Sequence, residues 1–229
     1  MRGLYAIVDV ETLQARRIDA VAFARAVLKV RPAALQVRAK ASPMRDTLAL
    51  LRDLRPLCRQ AGVALVANDR AELATMAACD MVHVGQMDET VARVHRLFPG
   101  LAVGVSTHSL EQLEAALAER PAYVAYGPVF TTHTKLTAGA AVGVAQLKAA
   151  HAKAAAAGIP LVAIGGINRD RAAALIGAAE SIAVISDLVP RHPIPRPDSG
   201  DWLRAVTERA RALHDLFAKG RGPFTPRAS

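Results

Sequence analysis

Aromatic residues are scarce in this chain. Its 229 residues include one Trp, three Tyr and five Phe, 4% in all, while 52% are hydrophobic. A core must therefore be built from Ala, Val, Leu and Ile, the composition of parallel strands buried under helices. Cysteine is almost absent. Cys58 and Cys79 supply neither a disulfide framework nor a zinc-site spacing, and they predict a reducing, cytoplasmic setting. No apolar run approaches the ~20 residues that span a bilayer, so no membrane association is expected. The first residues, Met1–Asp9, read as a strand and lack the layout of a signal peptide. Acid is in deficit: 29 Lys and Arg face 20 Asp and Glu, for a formal charge of +9. That excess invites a nucleic-acid reading. The arginines are dispersed over many helical stretches, however, with no long basic run and no aromatic RNA-binding motif. An arginine-rich solvated surface that also attracts small anions accounts for them. No Gly-x-Gly-x-x-Gly follows the first apolar run, which removes the main signature of an open dinucleotide-binding sheet.

What is present is an alternation of strand and helix periods from end to end. Eight strands are predicted, at Leu4–Asp9, Ala34–Arg38, Val63–Asn68, Met81–Val84, Ala102–Ser106, Tyr123–Gly127, Leu161–Ile164 and Ile182–Ser186. Between them lie amphipathic segments. Leu50, Leu54, Leu57 and Ala61 mark one apolar face, Leu110, Leu113 and Leu117 another, and Leu203, Val206, Ala210, Leu213 and Phe217 a third. This pattern predicts a single (β/α)8 TIM barrel over residues 1–218, with a basic, disordered tail at 219–229. Thr131–Gly143 is long enough to be a lid over the barrel mouth. Pro190–Gly200 holds four prolines and predicts an extended connection to the last helix.

In such a barrel the C-terminal strand ends converge on one mouth, and here they carry chemistry. Asp69 closes the third strand and Asp88 follows the fourth. Neighbouring strands run about 4.8 Å apart, so both carboxylates could reach one Mg²⁺, an ion commonly held by one or two carboxylates plus substrate phosphates. The competing explanation is that each caps a helix. Gln36, Arg38 and Lys40 share one face at the end of the second strand. Their polar ends need partners, and a polyanion would supply them. An ion pair to Asp69 or Asp9 is the alternative, less expected for a triple. Gly165-Gly166 after the seventh strand and Ile185-Ser186 at the end of the eighth stand where this fold often builds a phosphate site. His108 is read as a hydrogen-bonded loop histidine, His133 as pointing away from the two threonines beside it, and Tyr5 as packing at or lining the mouth.

Taken in order, these stretches resemble the thiamine-phosphate synthase family. The matching segments are Leu4–Asp9, Gln36–Lys40, Asn68-Asp69-Arg70, His83–Asp88, Gly104–Ser109, Gly127–Lys135, Ile164–Ile167 and Val184-Ile185-Ser186. The resemblance implies a transferase that joins a pyrimidine diphosphate to a thiazole ethyl phosphate and releases pyrophosphate. It implies that Gln36, Arg38, Lys40, Asn68, Ser106 and Lys135 bind the pyrimidine diphosphate. Of these, Arg38, Lys40, Ser106 and Lys135 would act on the reaction itself. It further implies that Asp69 and Asp88 hold Mg²⁺, and that Thr132, Thr134, Gly166, Ile185 and Ser186 hold the thiazole phosphate. The implied mechanism is dissociative: pyrophosphate departs, a pyrimidine-methylene cation forms, and the thiazole nitrogen attacks it. Three stretches depart from the family pattern: Ala39 where an acidic residue is usual, Asp80-Met81 before the fourth strand, and Ala178–Ser181 before the eighth. A thiazole-phosphate tautomerase on the same fold and a non-catalytic anion-binding barrel are the alternatives. Neither has reason to keep the carboxylate pair beside the cations. A homo-oligomer is compatible with the sequence.

Overall fold

Eight parallel strands close into one barrel in sequence order. They are β1 (Gly3–Asp9), β2 (Ala34–Arg38), β3 (Ala64–Asn68), β4 (Met81–Val84), β5 (Ala102–Thr107), β6 (Tyr123–Tyr126), β7 (Leu161–Ile164) and β8 (Ser181–Val184). The computed structural model describes residues 1–132, 140–190 and 200–218. Most of the expected lid, the centre of the proline-rich connection and the 219–229 tail therefore lie outside the described residues. So do His133, Thr134 and Lys135.

Strand side chains alternate between two cores, as period-two geometry requires. Tyr5, Ile7, Ala34, Val66, Tyr123, Ala125, Val162 and Ala183 fill the barrel interior. Leu4, Ala6, Val8, Leu35, Val37, Leu65 and their counterparts face the surrounding helices. The principal helices are α2 (Ala20–Leu28), α3 (Met44–Ala61), α6 (Leu110–Ala118), α7 (Gly143–Ala156) and α9 (Asp201–Ala218), and α1 (Val10–Ala15), α4 (Ala71–Met76), α5 (Val91–Leu97) and α8 (Arg169–Ala172) are short. Polar side chains start several of them: Asp9 caps α1, Asp19 α2, Thr90 α5, Ser109 α6 and Asn168 α8.

The strand predictions hold to within a residue or two. The clearest correction is at β8, which ends at Val184. Ile185 turns out of the extended conformation (φ −112°, ψ −77°) into a 3₁₀ turn over Ser186–Leu188. On α3 the fully buried line is Leu51, Leu54 and Cys58, while Leu50, Leu57 and Ala61 flank it half-buried. On α9 the expected face is the buried one, with Val206, Ala210, Leu213 and Phe217 inside.

Only a glycine fits at position 104. A Cβ there would fall within the Tyr123 ring, which occupies the space. Gly104→Ala must push that ring aside in a packed interior, and we expect a loss of about 1–3 kcal/mol. The check is a urea unfolding curve whose midpoint falls at unchanged slope.

Candidate active site

The inward parity of the strands places a continuous polar chain across the barrel. Gln36 Nε2 donates to the Tyr5 hydroxyl at 3.0 Å. That hydroxyl lies 2.7 Å from Tyr123 Oη, which lies 2.8 Å from His83 Nδ1. His83 Nε2 is 2.8 Å from Ser106 Oγ. All five residues are buried. Buried hydroxyls need an acceptor for their proton. One direction satisfies every member: Tyr5 donates to Tyr123, Tyr123 to His83 Nδ1, and His83 Nε2–H to Ser106. Ser106 then keeps its own proton for a further partner. Burial, before any other cause, raises the pKa of Tyr5 and of Tyr123 far above the ordinary phenol value, so both stay neutral donors.

Tyr5, expected to pack at or line the mouth, packs in the barrel interior; the sequence alone does not single out His83 or Tyr123 as site residues. The signal was their parity: each shares the inward face of its strand with apolar interior residues, where an unpartnered polar group would be costly.

Above this chain sits a cavity of ≈ 20 Å³, the room of about one water. It is bounded by Gln36, Arg38, Asn68 and His83 on one side and by Ile164 and Ile185 on the other. The cation-bearing strands and the β7–β8 side thus share one space.

Asp69 and Asp88 come together. Asp69 follows β3 in a left-handed conformation (φ 64°), and its N–H donates to the His83 carbonyl at 2.7 Å. Its pKa is raised, by burial foremost and also by contact with Asp88, while Lys40 opposes the rise. Asp88 is oriented from the other side, where its Oδ2 accepts the Gly85 N–H at 2.7 Å. Neither residue caps a helix: Arg70 stands at the start of α4 and Thr90 at that of α5. Among the described residues no group of three or more His, Cys, Asp or Glu side chains could hold a metal.

The cations are not without protein partners, which corrects the expectation for the triple. Arg38 Nη1 bonds Asp9 Oδ2 and lies 3.8 Å from Glu11 Oε2. Lys40 Nζ lies 2.9 Å from Asp69 Oδ2. The cause is register: Asp9 and Arg38 are direct cross-strand partners on β1 and β2. Asp9 is also held by Thr12, through its N–H at 3.0 Å and its hydroxyl at 2.6 Å. Glu11 Oε1 accepts the Ala41 N–H at 2.9 Å. The buried Nε of Arg38 has no hydrogen-bond partner among the described residues.

On the far side, the loop after β6 continues along the end of β7. Val129 N–H donates to Ile164 O at 2.8 Å and Phe130 N–H to Gly165 O at 3.0 Å. Gly166 (φ 64°) lies against this loop so closely that a Cβ would meet Thr131 O at 2.6 Å. Thr132, next in the chain, is thereby brought near the glycine turn. Arg171 covers this corner, its guanidinium 5.2 Å from the Phe130 ring centroid and its Nη1 3.3 Å from Gly166 O. His108 is the loop histidine expected. Its Nδ1 bonds the Gly127 carbonyl and its N–H donates to Gln112 Oε1 at 2.8 Å.

A closed parallel barrel with carboxylates, cations and a glycine turn at its C-terminal mouth is a (β/α)8 protein whose polar residues gather where such barrels carry their active sites. The family model described as thiamine monophosphate synthase matches residues 4–188, and the chain belongs to that family. Thiamine-phosphate synthase of Chloroflexus aurantiacus is 38% identical over 180 residues, 78% of this chain and 78% of that one. The Methanoregula boonei enzyme of the same name is 39% identical over 190 residues, 82% and 84% of the two chains. The solved thiamine phosphate pyrophosphorylase of Pyrococcus furiosus superposes with a TM-score of 0.76 at 27% identity, covering 93% of this chain and 96% of that one.

Proposed function

We propose that this chain joins 4-amino-2-methyl-5-hydroxymethylpyrimidine diphosphate to thiazole ethyl phosphate, forming thiamine phosphate and releasing pyrophosphate. The observation that carries the site assignment is the carboxylate pair. Asp69 and Asp88 are in contact; the pKa of Asp69 is raised first by burial and further by Asp88, and two half-buried carboxylates side by side suit a cation between them. Two carboxylates are too few to cage Mg²⁺ alone, and they suit an ion completed by water and substrate phosphate. Bound there, Mg²⁺ would add positive charge against the leaving pyrophosphate.

This chain's own residues carry the rest. Arg38, Lys40 and Lys135 neutralise the departing pyrophosphate, with the Arg38 Nε–H, unpartnered among the described residues, as a further donor. Gln36, Asn68 and Ser106 orient the pyrimidine; the outward proton of Ser106, fixed by His83 behind it, suits a ring acceptor. Gly166, Ile185, Ser186, Thr132 and Thr134 hold the thiazole phosphate. The C–O bond to pyrophosphate breaks with its electron pair, and the thiazole nitrogen pair forms the C–N bond to the methylene carbon. No proton need move, in keeping with histidines engaged in hydrogen bonds at His83 and His108. Catalysis is then electrostatic stabilisation of a leaving polyanion.

The test is direct. Mixed with both substrates and Mg²⁺, the protein should release pyrophosphate and accumulate thiamine phosphate in equal amounts. Interconversion of thiazole carboxylate tautomers without thiamine phosphate would favour a tautomerase. Pyrophosphate binding with neither reaction would leave an anion-binding barrel.

A further inference from the structure

Asp187 is buried, yet none of the roles above uses it. It lies in the 3₁₀ turn after β8, immediately after Ser186. Its Oδ2 accepts two bonds from Arg169, the backbone N–H at 3.0 Å and Nε–H at 3.0 Å. Arg169 opens α8, three residues beyond Gly166. On its other side Asp187 meets α9, where Arg209 Nη1 lies 3.5 Å from Oδ1 and donates to the Asp187 carbonyl at 3.2 Å. One carboxylate thus ties the loop after β7 to the loop after β8 and anchors both to the last helix. Charge-assisted bonds to a carboxylate with little water access are the strong kind.

We propose that Asp187 is a positioning residue for the thiazole phosphate: it sets the spacing between the Gly165-Gly166 turn and Ile185-Ser186. This rests on the assignment of that corner to the thiazole phosphate made above. A phosphate held by groups from two separate loops is sensitive to their separation. A shift of about 1 Å can cost on the order of a hundredfold in a positioned complex. The cation-bearing half of the mouth hangs on β1 to β4 and on Asp9, Glu11 and Asp88, none of which bonds Asp187 in the structure.

The predicted signature is therefore selective. In Asp187→Asn the amide keeps the shape but has one oxygen, so its NH₂ group must face either the Arg169 donors or the Arg209 guanidinium, and the neutral side chain loses the charge assistance of both links. Steady-state kinetics with each substrate varied in turn should show the KM for thiazole phosphate rising by about ten- to a hundredfold, with kcat and the KM for the pyrimidine diphosphate within about twofold. Arg169→Met removes the side-chain half of the clamp and leaves its backbone half. It should raise the same KM by less, and adding it to Asp187→Asn should cost little more, since both break one link. Equal rises in both KM values, or a fall in kcat or melting temperature with the thiazole KM unchanged, would overturn the proposal, because a purely structural aspartate gives that pattern. If the wild-type chain makes no thiamine phosphate, the function assigned above fails, and this proposal with it. If the wild type is active and Asp187→Asn keeps its thiazole KM, only the clamp fails.

Discussion

Asp69→Asn should cut thiamine phosphate formation by about 10²–10³-fold, the typical effect of removing one preorganised charge contact from a transition state, while the fold stays intact. Two features make this substitution informative. Asp69 holds a left-handed backbone conformation (φ 64°), which asparagine adopts as readily as aspartate, so no strain is added. Asp69 also sits against Asp88 with its pKa raised by burial and by that neighbour. A neutral amide relieves the repulsion. The partner lost is Lys40, whose side chain is 51% exposed, and such surface pairs contribute little. Activity and stability should therefore move apart: turnover collapses and the melting temperature is unchanged or slightly higher. Asp88→Asn should lose turnover similarly, with a small stability cost because its Oδ2 also holds the Gly85 N–H. Calorimetric titration of Mg²⁺ in the presence of pyrophosphate should show weakened binding in both variants. Turnover that survives EDTA in the wild type would remove the metal from the scheme.

Much of this architecture was legible because buried parallel strands are short, continuous apolar runs. Ala34–Arg38, Met81–Val84 and Leu161–Ile164 appear with the predicted bounds. Exit from a strand was harder to read. Ile185 is as apolar as the residues before it, and only its backbone turn ends β8 at Val184. The α3 stripe drifted by a residue because leucines at 48, 50, 51, 54 and 57 crowd half the helix. Periodicity alone does not say which of two adjacent lines meets the sheet.

The site divides the same way. Chain order told which strand ends would share the mouth. It did not tell which groups would touch, because barrel register depends on the stagger of all eight strands. Asp9 opposite Arg38 is a register fact. So is the Tyr5–Tyr123 bond, made between residues 118 positions apart, and the Arg169–Asp187 bond joins two loops of unrelated sequence.

Arg38 shows what that register does, and its two variants should behave differently. Arg38→Ala leaves Asp9, 3% exposed, with the Thr12 donors alone among the described residues. Breaking a buried pair by removing one partner typically costs about 3–5 kcal/mol, so this variant should unfold at markedly lower urea and also lose turnover. Arg38→Lys keeps a positive charge within reach of Asp9. It should recover most of the stability, since the ammonium can serve the carboxylate as a point charge. It should not recover the activity. Arginine can give Nη1 to Asp9 and keep further N–H groups, among them the Nε–H that has no hydrogen-bond partner among the described residues, for an anion at the barrel mouth. Lysine has one nitrogen at one place, and occupying it with Asp9 leaves the pyrophosphate without that donor. The expected outcome is a near-native melting temperature with turnover reduced by about 10²-fold or more. Substrate binding, followed by calorimetry with inorganic pyrophosphate, should weaken in parallel. A lysine variant that is both stable and fully active would show that Arg38 serves Asp9 alone.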